Sequence, residues 1–269
     1  MINLNGSKIS IIMPAYNEQD RIIDSIEETI KTFDGFQLNY EIIVVDDGSK
    51  DYTFKEVKDF IKQKSMSNVA VYRNRANYGK GRALLKGFRH AHGEYIIFLD
   101  ADMDLHPGQI DTFFDIMSLT ESDIVIGSKR HSNSQLSYPR ERRILSAGYF
   151  FFVKMLFGLP INDTQTGLKL FKAHVLKEVF KEFISREFAF DLELLVTAHR
   201  FGFKIAEAPV CINSQRGYNR IGISTVYKMC IDTFWIYLRF VRNRTKKFAS
   251  KLNKKGFFDF KMNFLKGIK

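Results

Sequence analysis

Between residues 8 and 128 the chain alternates short apolar segments with segments whose apolar residues recur at helical spacing. The apolar segments, such as "KISIIMPA" and "EYIIFL", are rich in Ile and lack the polar alternation of a strand with one face in water. The intervening segments include 18–33, where Ile22, Ile26 and Ile30 share one face. Buried strands that alternate with single helices predict an α/β fold, in which helices flank a central, mostly parallel sheet.

Three polar motifs follow three of these predicted strands: "PAYNE" at 14–18, "DDGS" at 46–49 and "DADMD" at 100–104. In open α/β sheets, ligands bind outside the carboxyl ends of the strands. We therefore expect the three motifs to meet at one edge of the sheet and to form a binding site there. For Asn17, Asp47 and Gly48 we expect capping and turn roles instead, with Asn17 a candidate cap of the next helix.

The third motif places Asp100, Asp102 and Asp104 at alternate positions. In an extended chain this spacing would put all three carboxylates on one side of the backbone. Like charges at that separation repel unless one takes a proton or a cation lies between them. The alternative for this motif alone is an acidic turn exposed to solvent.

After about residue 129 the strand–helix pattern is looser. A polar loop is predicted at 130–143, followed by a very apolar helix at 144–159, and then a strand and a helix in "TQTGLKLFKAHVLKEVF". A further helix and strand are predicted in 188–202 and 203–210. Because no segment is a linker rich in Gly, Ser or Pro, we predict one domain over 1–238 and an appended segment over 239–269.

The positive charge is concentrated at the C-terminus. Residues 239–269 contain eleven Lys or Arg and one acidic residue, so they carry ten of the chain's eleven net positive charges. Basic residues interleaved with Phe favour an anionic membrane surface as the partner of this tail. The nearly neutral remainder of the chain argues against a nucleic-acid-binding protein.

Other features bear on the compartment. No apolar run reaches the roughly 18 residues expected of a membrane-spanning helix, and the first ten residues lack the apolar core of a signal peptide. Cys211 and Cys230 lack metal-ligand or redox spacing, which favours a reduced, cytosolic environment. We expect a peripheral protein on the cytoplasmic face of a membrane.

Taken in order along the chain, the motifs resemble those of the inverting glycosyltransferases of family 2, which have the GT-A fold. The resemblance covers about residues 8–240, and it includes "IIMPAYNE", "IIVVDDGSKDYT", "NYGKGRALLKG", "FLDADMDL", "IVIGSK" and "DTQTGLKLF". The segments "REFAFDLELL" and "IDTFWIYLRF" resemble the branch that makes polyprenyl-phosphate and dolichyl-phosphate sugars. The resemblance implies a nucleotide-sugar half at about 8–128, an acceptor half at about 129–238 and amphipathic helices on the membrane side.

The resemblance also implies roles at the donor end. Asp100 and Asp102 would hold Mg²⁺ or Mn²⁺ against the donor diphosphate, with Asp104 completing the metal shell. Lys80 would contact the donor phosphates. The remaining nucleotide-binding residues would contact the base and the ribose: Pro14, Tyr16, Glu18 and Asp46.

At the acceptor end the site must supply positive charge for a lipid phosphate. The residues implied in acceptor binding are Lys129, Arg142, Arg143, Asp163, Gln165, Arg220 and Ser224. The residues implied in catalysis are Asp102, Lys129, Arg142, Arg143 and Asp191.

The resemblance implies transfer of a hexose to a polyprenyl or dolichyl phosphate. UDP-glucose is favoured as donor and GDP-mannose is next, because Asn219 and Thr225 stand where mannosyltransferases of this branch usually carry Arg and Lys. A membrane-spanning partner subunit is compatible with this interpretation. The alternatives are a soluble family 2 transferase that builds a polysaccharide or glycolipid, and a nucleic-acid-binding protein that uses the basic tail.

Overall fold

The computed structural model of the protein describes residues 6–135, 140–182, 190–212 and 228–242, with the backbone alone for 140–147. Contacts divide the chain into two units, Met1–Gly222 and Ile223–Lys269. The first unit contains the whole sheet. In the second, the described residues form a single helix over 228–242. The functional boundary that the sequence predicts near residue 238 stays a prediction.

The order of elements in the first unit confirms the predicted strand–helix alternation. The strands are β1 (Lys8–Ala15), β2 (Asn39–Asp46), β3 (Val69–Arg73), β4 (Tyr95–Phe98), β5 (Ile124–Ser128), β6 (Lys169–Lys172) and β7 (Ile205–Pro209). The helices are α1 (Ile22–Gly35), α2 (Thr53–Lys64), α3 (Lys80–Arg89), α4 (Ile110–Thr120), α5 (Arg140–Phe157), α6 (Ala173–Glu182) and α7 (Phe190–Arg200), and a 3-10 turn (Pro107–Gln109) precedes α4.

The seven strands form one sheet in the order β3-β2-β1-β4-β6-β5-β7. β6 runs antiparallel to both of its neighbours, β4 and β5, while the other described pairings are parallel. The predicted α/β fold with a mostly parallel sheet is therefore confirmed. Because β6 lies between β4 and β5, the segment that leads into β6 is brought beside the carboxyl end of β4.

The sheet is buried on both faces, as its apolar strands predict. On one face Ile9, Ile11 and Met13 of β1 join the core that includes α1, α2 and α4. On the other face Ile12 meets α3 closely, since a Cβ added at Gly87 would lie 2.4 Å from its Cγ2. Gly87 therefore lets α3 pack directly on the strand.

The sequence-based prediction for residues 140–143 is wrong. These residues were expected to end a polar loop, but α5 already begins at Arg140 and runs to Phe157. Arg and Glu are good helix formers, and Pro139 precedes them, a residue that is favoured at a helix start and disfavoured inside one. Arg142 and Arg143 therefore belong to the first turn of α5. Of the described helices, none is both long and apolar enough to span a membrane.

Candidate active site

The first predicted site residues lie directly after β1. The ring of Tyr16 is 37% exposed, so it offers a face to a ligand. The backbone N–H of Glu18 donates a hydrogen bond of 2.9 Å to Oγ1 of Thr53, the first residue of α2. This bond joins the "PAYNE" loop to the loop after β2, as the shared-edge prediction requires.

Asn17 lies in the same loop but has a different role from the predicted one. Its side-chain oxygen accepts a hydrogen bond of 2.9 Å from the backbone N–H of Lys50, and its own N–H donates to Oγ of Ser49 at 2.9 Å. The residue that precedes α1 is Arg21, and no side chain caps that helix. Asn17 has a φ of 55°, which Asn tolerates better than most residues, so it joins two loops and caps no helix.

Asp46, the last residue of β2, is fully buried. Its Oδ1 accepts a hydrogen bond of 3.0 Å from the N–H of Ser49. Arg73 Nε lies 2.9 Å from Oδ2 as an ion-pair partner, at an angle that does not make a hydrogen bond. Arg73 also donates to the carbonyl of Ser49 at 2.8 Å, and its guanidinium stands 5.4 Å from the ring centre of Phe54.

Arg73 therefore orients the carboxylate that was predicted to bind the nucleoside, although no motif pointed to it. The available signal was position, because Arg73 ends β3 at the same edge of the sheet as Asp46.

Asp47 organises the loop that leads to α3. Its carboxylate accepts hydrogen bonds from Asn74 Nδ2 at 2.7 Å, from Tyr78 N–H at 3.1 Å and from Gly79 N–H at 2.7 Å. Burial raises the pKa of Asp47 even though these bonds lower it. Gly79 has a φ of 88°, a conformation that favours glycine, and the next residue is Lys80, the first of α3. Asp47 thus has the structural role that was expected of it and places Lys80.

Lys80 forms an ion pair with Asp100, with Nζ 2.6 Å from Oδ1. Burial alone would lower the pKa of Lys80, but the carboxylates of Asp100 and Asp191 outweigh burial and raise it. Burial would likewise raise the pKa of Asp100, yet the charge of Lys80 keeps it below its usual value. Both groups are therefore charged at neutral pH, and the predicted phosphate contact and the first acid of "DADMD" are direct neighbours.

The "DADMD" segment is a turn and not an extension of the strand. β4 ends at Phe98, and Met103 has a φ of 59°, so the backbone reverses between the acids. The N–H of Asp104 donates to Oδ1 of Asp102 at 3.1 Å. Burial, together with the charges of Asp100 and Asp104, raises the pKa of Asp102 to about 6.

The donor chemistry of these residues fits a hard divalent cation. The charges of Asp100 and Asp104 add to burial in raising the pKa of Asp102, and a bound cation would relieve the repulsion among the three carboxylates. Carboxylate oxygens are the ligands that Mg²⁺ and Mn²⁺ prefer. Across the described ranges, no three His, Cys, Asp or Glu side chains are already arranged to hold a metal ion. The metal ligation predicted for Asp100, Asp102 and Asp104 stays a prediction.

A second group of residues lies against Asp100 from the segment before β6. A Cβ added at Gly167 would lie 2.1 Å from Oδ2 of Asp100, so only glycine leaves room for that carboxylate. Two residues later, Lys169 pairs with Asp191 in the first turn of α7, with Nζ 2.8 Å from Oδ1. Lys169 Nζ also donates to the carbonyl of Thr166.

Asp163 holds the turn that carries these residues. Its Oδ2 accepts hydrogen bonds from the N–H of Lys129 at 3.0 Å and from Oγ1 of Thr166 at 2.8 Å, and its Oδ1 accepts from the N–H of Gln165 at 2.9 Å. Its own N–H donates to Glu207 at 3.0 Å. Asp163 therefore ties the end of β5 to the turn before β6, while its acceptor contact and that of Gln165 stay predictions.

The remaining predicted residues are placed only in part. Pro14 lies in β1 opposite Val45. Arg142 and Arg143 lie in α5, where the structure describes their backbone but not their side chains. Arg220 and Ser224 lie outside the described residues.

Comparisons with known proteins find a family model and relatives that match most of the chain. The family model described as "Glycosyl transferase family 2" matches residues 10–180. A dolichyl-phosphate beta-glucosyltransferase of Dictyostelium discoideum is 34% identical over 87% of this chain and 75% of its own length. A dolichyl-phosphate beta-glucosyltransferase of Trichomonas vaginalis is 33% identical over 83% of this chain and 71% of its own length.

Solved structures show the same fold. Glucosyl-3-phosphoglycerate synthase from Mycobacterium tuberculosis, in complex with Mn²⁺, UDP-glucose and phosphoglyceric acid, matches with a TM-score of 0.63 and 19% identity, over 87% of this chain and 80% of that one. The complex of that enzyme with Mg²⁺ and UDP matches with a TM-score of 0.64 and 19% identity, with the same coverage. At this identity the likeness establishes the fold.

Proposed function

This chain belongs to glycosyl transferase family 2 and is a glycosyltransferase, and on that premise we propose that it transfers glucose from UDP-glucose to a dolichyl or related polyprenyl phosphate. The observation that carries the choice of sugar and acceptor is the 34% identity, over most of both chains, to a dolichyl-phosphate beta-glucosyltransferase.

Donor binding is the task of the loops after β1, β2 and β3. Asp46 is held by Ser49 and Arg73 and is fully buried, and its Oδ2 accepts no hydrogen bond from the described residues. This oxygen can accept a hydrogen bond from a ribose hydroxyl or a base N–H only if the donor displaces the groups that cover it. The partly exposed ring of Tyr16 offers a stacking face to the base. The loop bonds between these segments hold the two groups in place before the donor arrives, which reduces the entropy lost on binding.

The diphosphate is expected beside Lys80 and the "DADMD" turn. A Mg²⁺ or Mn²⁺ ion held by Asp100 and Asp102, with Asp104 beside them, would stabilise the charge that develops on the leaving diphosphate. The raised pKa of Lys80 keeps its ammonium group charged. The group can therefore turn from Asp100 to a phosphate oxygen of the donor without losing its proton. The negative charge of the donor is thus met by this lysine and by the metal site together.

The acceptor needs little activation. A phosphate monoester has a second pKa of about 6, so the lipid phosphate is already largely a dianion at neutral pH and can attack the anomeric carbon directly. We expect Lys129, Arg142 and Arg143 to steer this anion, together with Arg220 and Ser224. One direct displacement inverts the anomeric centre, so an α-linked donor gives a β-linked product.

The basic tail is proposed to hold the enzyme at the cytoplasmic face of a membrane, where a lipid acceptor resides. Each basic residue near an anionic leaflet contributes about 1 kcal/mol of attraction, so a fraction of the ten net charges suffices. A membrane-spanning partner subunit is compatible with this arrangement.

The test is a panel of donors and acceptors. Purified enzyme is given UDP-glucose, GDP-mannose or other UDP-sugars, with dolichyl phosphate or a water-soluble acceptor, in the presence of Mg²⁺, Mn²⁺ or EDTA. We expect UDP-glucose with dolichyl phosphate to be the fastest pair and EDTA to stop it. Preferred transfer to a soluble acceptor would favour the alternative of a soluble family 2 transferase and would overturn this proposal.

A further inference from the structure

A buried lysine lies behind the "DADMD" turn and was not among the predicted site residues. Lys169 is the first residue of β6, and its side chain is 1% exposed. In the sheet it stands opposite Phe98, the last residue of β4, which lies two residues before Asp100. Burying an ammonium group costs free energy unless it is paired and hydrogen-bonded. The partners of Lys169 therefore indicate the role of its side chain.

The ammonium group of Lys169 joins three segments of the chain. From β6 it donates to Oδ1 of Asp191 at 2.8 Å, in the first turn of α7. It also donates to the carbonyl of Thr166, in the turn that leads into β6. The next residue of that turn is Gly167, which packs against the carboxylate of Asp100. The side chain of Lys169 thus fixes the turn before β6 relative to Asp191, and through Gly167 this turn lies against Asp100.

The charges of the two pairs also act on each other. Asp191 contributes to the raised pKa of Lys80, and Lys169 contributes to the lowered pKa of Asp100. The Lys169–Asp191 pair and the Lys80–Asp100 pair therefore form one group of four alternating charges beneath the proposed transfer site. A change in the buried Lys169–Asp191 pair is felt by the partly exposed Lys80–Asp100 pair, because charges at the edge of a buried region are screened less than charges in open water.

We propose that Lys169 is a positioning residue for the transfer reaction, which orients the carboxylate of Asp191 and the 163–167 turn toward the "DADMD" edge. This inference rests on the proposed function, because it concerns the same site. Lys169 is buried and acts through Asp191 and the turn, so it does not touch the substrate.

A purely stabilising role would make a different prediction. Buried ion pairs are weak contributors to stability, since apolar side chains of similar volume often do as well or better. A pair used for stability alone could therefore lose the charge of Lys169 without effect on the chemistry of the molecules that still fold. A pair used for positioning could not.

The experiment compares Lys169→Met with Lys169→Arg, which keeps the charge, and with Lys169→Gln, which is polar but uncharged and leaves Asp191 unchanged. The fraction of molecules that bind UDP is measured by calorimetric titration, and kcat and the donor KM for glucosyl transfer to dolichyl phosphate are expressed per binding-competent molecule. A matched control is Lys172→Met, on the same strand. Lys172 pairs with Asp123 at 3.0 Å but stands opposite Tyr95, at the far end of β4.

We expect Lys169→Met to lower kcat per competent molecule about 100-fold, the loss typical of groups displaced by about 1 Å, with little change in the donor KM. Lys169→Arg should recover at least about a tenth of the wild-type kcat, and Lys172→Met should match the wild type. If Lys169→Met does not fold, Lys169→Gln takes its place, because it leaves Asp191 unchanged, and we expect the same loss of about 100-fold there.

Wild-type kcat per competent molecule in Lys169→Met, or in Lys169→Gln, would overturn the inference. A wild-type enzyme that makes no lipid-linked glucose would instead overturn the proposed function, so the two failures are distinguishable.

Discussion

Gly167→Ala is expected to inactivate the enzyme while leaving its fold largely intact. The added Cβ would lie 2.1 Å from Oδ2 and 2.7 Å from Cγ of Asp100. Carbon atoms in contact normally stand about 3.5–4.0 Å apart, and carbon–oxygen contacts are only slightly shorter, so the carboxylate must retreat by about 1 Å. That movement takes Asp100 away from its position 2.6 Å from Lys80.

The size of the effect follows from this displacement. A shift of about 1 Å in a catalytic group costs about 100-fold in rate, which corresponds to about 2.7 kcal/mol in the activation barrier. The free energy of unfolding should fall by only about 1 kcal/mol, at the low end for overpacking. The reason is that the colliding atoms belong to the end of a partly exposed side chain, which can rotate, and not to the backbone.

The assay measures kcat for transfer from UDP-glucose, together with unfolding in urea. Gly35→Ala is the matched control, because Gly35 ends α1 and a Cβ there would meet nothing within 4 Å. Wild-type activity in Gly167→Ala would refute the argument that Asp100 must occupy its observed position.

Three further predictions follow from the charges of the chain. Asp102→Asn should abolish transfer and yet stabilise the metal-free protein at pH 7.5 by about 1–2 kcal/mol. The reason for the gain in stability is that burial raises the pKa of Asp102 to about 6, so the folded state disfavours the carboxylate form that is present at pH 7.5. In urea unfolding the gain should vanish below about pH 4, where Asp102 is protonated in both states, and a gain that persists there would contradict this cause. Lys129→Ala should raise the KM for lipid phosphate more than the KM for UDP-glucose, and a rise in the donor KM alone would assign Lys129 to the diphosphate. Truncation after Phe240 should abolish salt-sensitive binding to anionic vesicles but spare hydrolysis of the donor, and unchanged vesicle binding at low salt would defeat the membrane role of the tail.

Local patterns were sufficient to predict most of the sheet and the edge at which the polar motifs meet. The runs of Ile and Val predicted β1, β2 and β4, and the rule that ligands bind at the carboxyl ends of strands brought Tyr16 and Asp46 together. These inferences succeeded because a strand buried on both faces has a signature within a few residues.

Pairings between distant segments could not be predicted in this way. The strand at 169–172 was expected, but its antiparallel place between β4 and β5 depends on contacts with residues far away in sequence. The approach of Gly167 to Asp100 and the burial of Lys169 both result from that placement. Arg73 was missed because an arginine at the end of a strand has no motif of its own.

The most direct test of the account is the structure of the lipid product. Enzyme, UDP-glucose labelled with carbon-13 in the sugar, dolichyl phosphate and Mg²⁺ or Mn²⁺ are incubated together, and the anomeric signal of the lipid fraction is read by NMR. Direct attack by the ionised lipid phosphate predicts glucose linked to that phosphate in the β configuration. An α-linked product would contradict the central claim. So would label found only in free glucose or on a soluble acceptor.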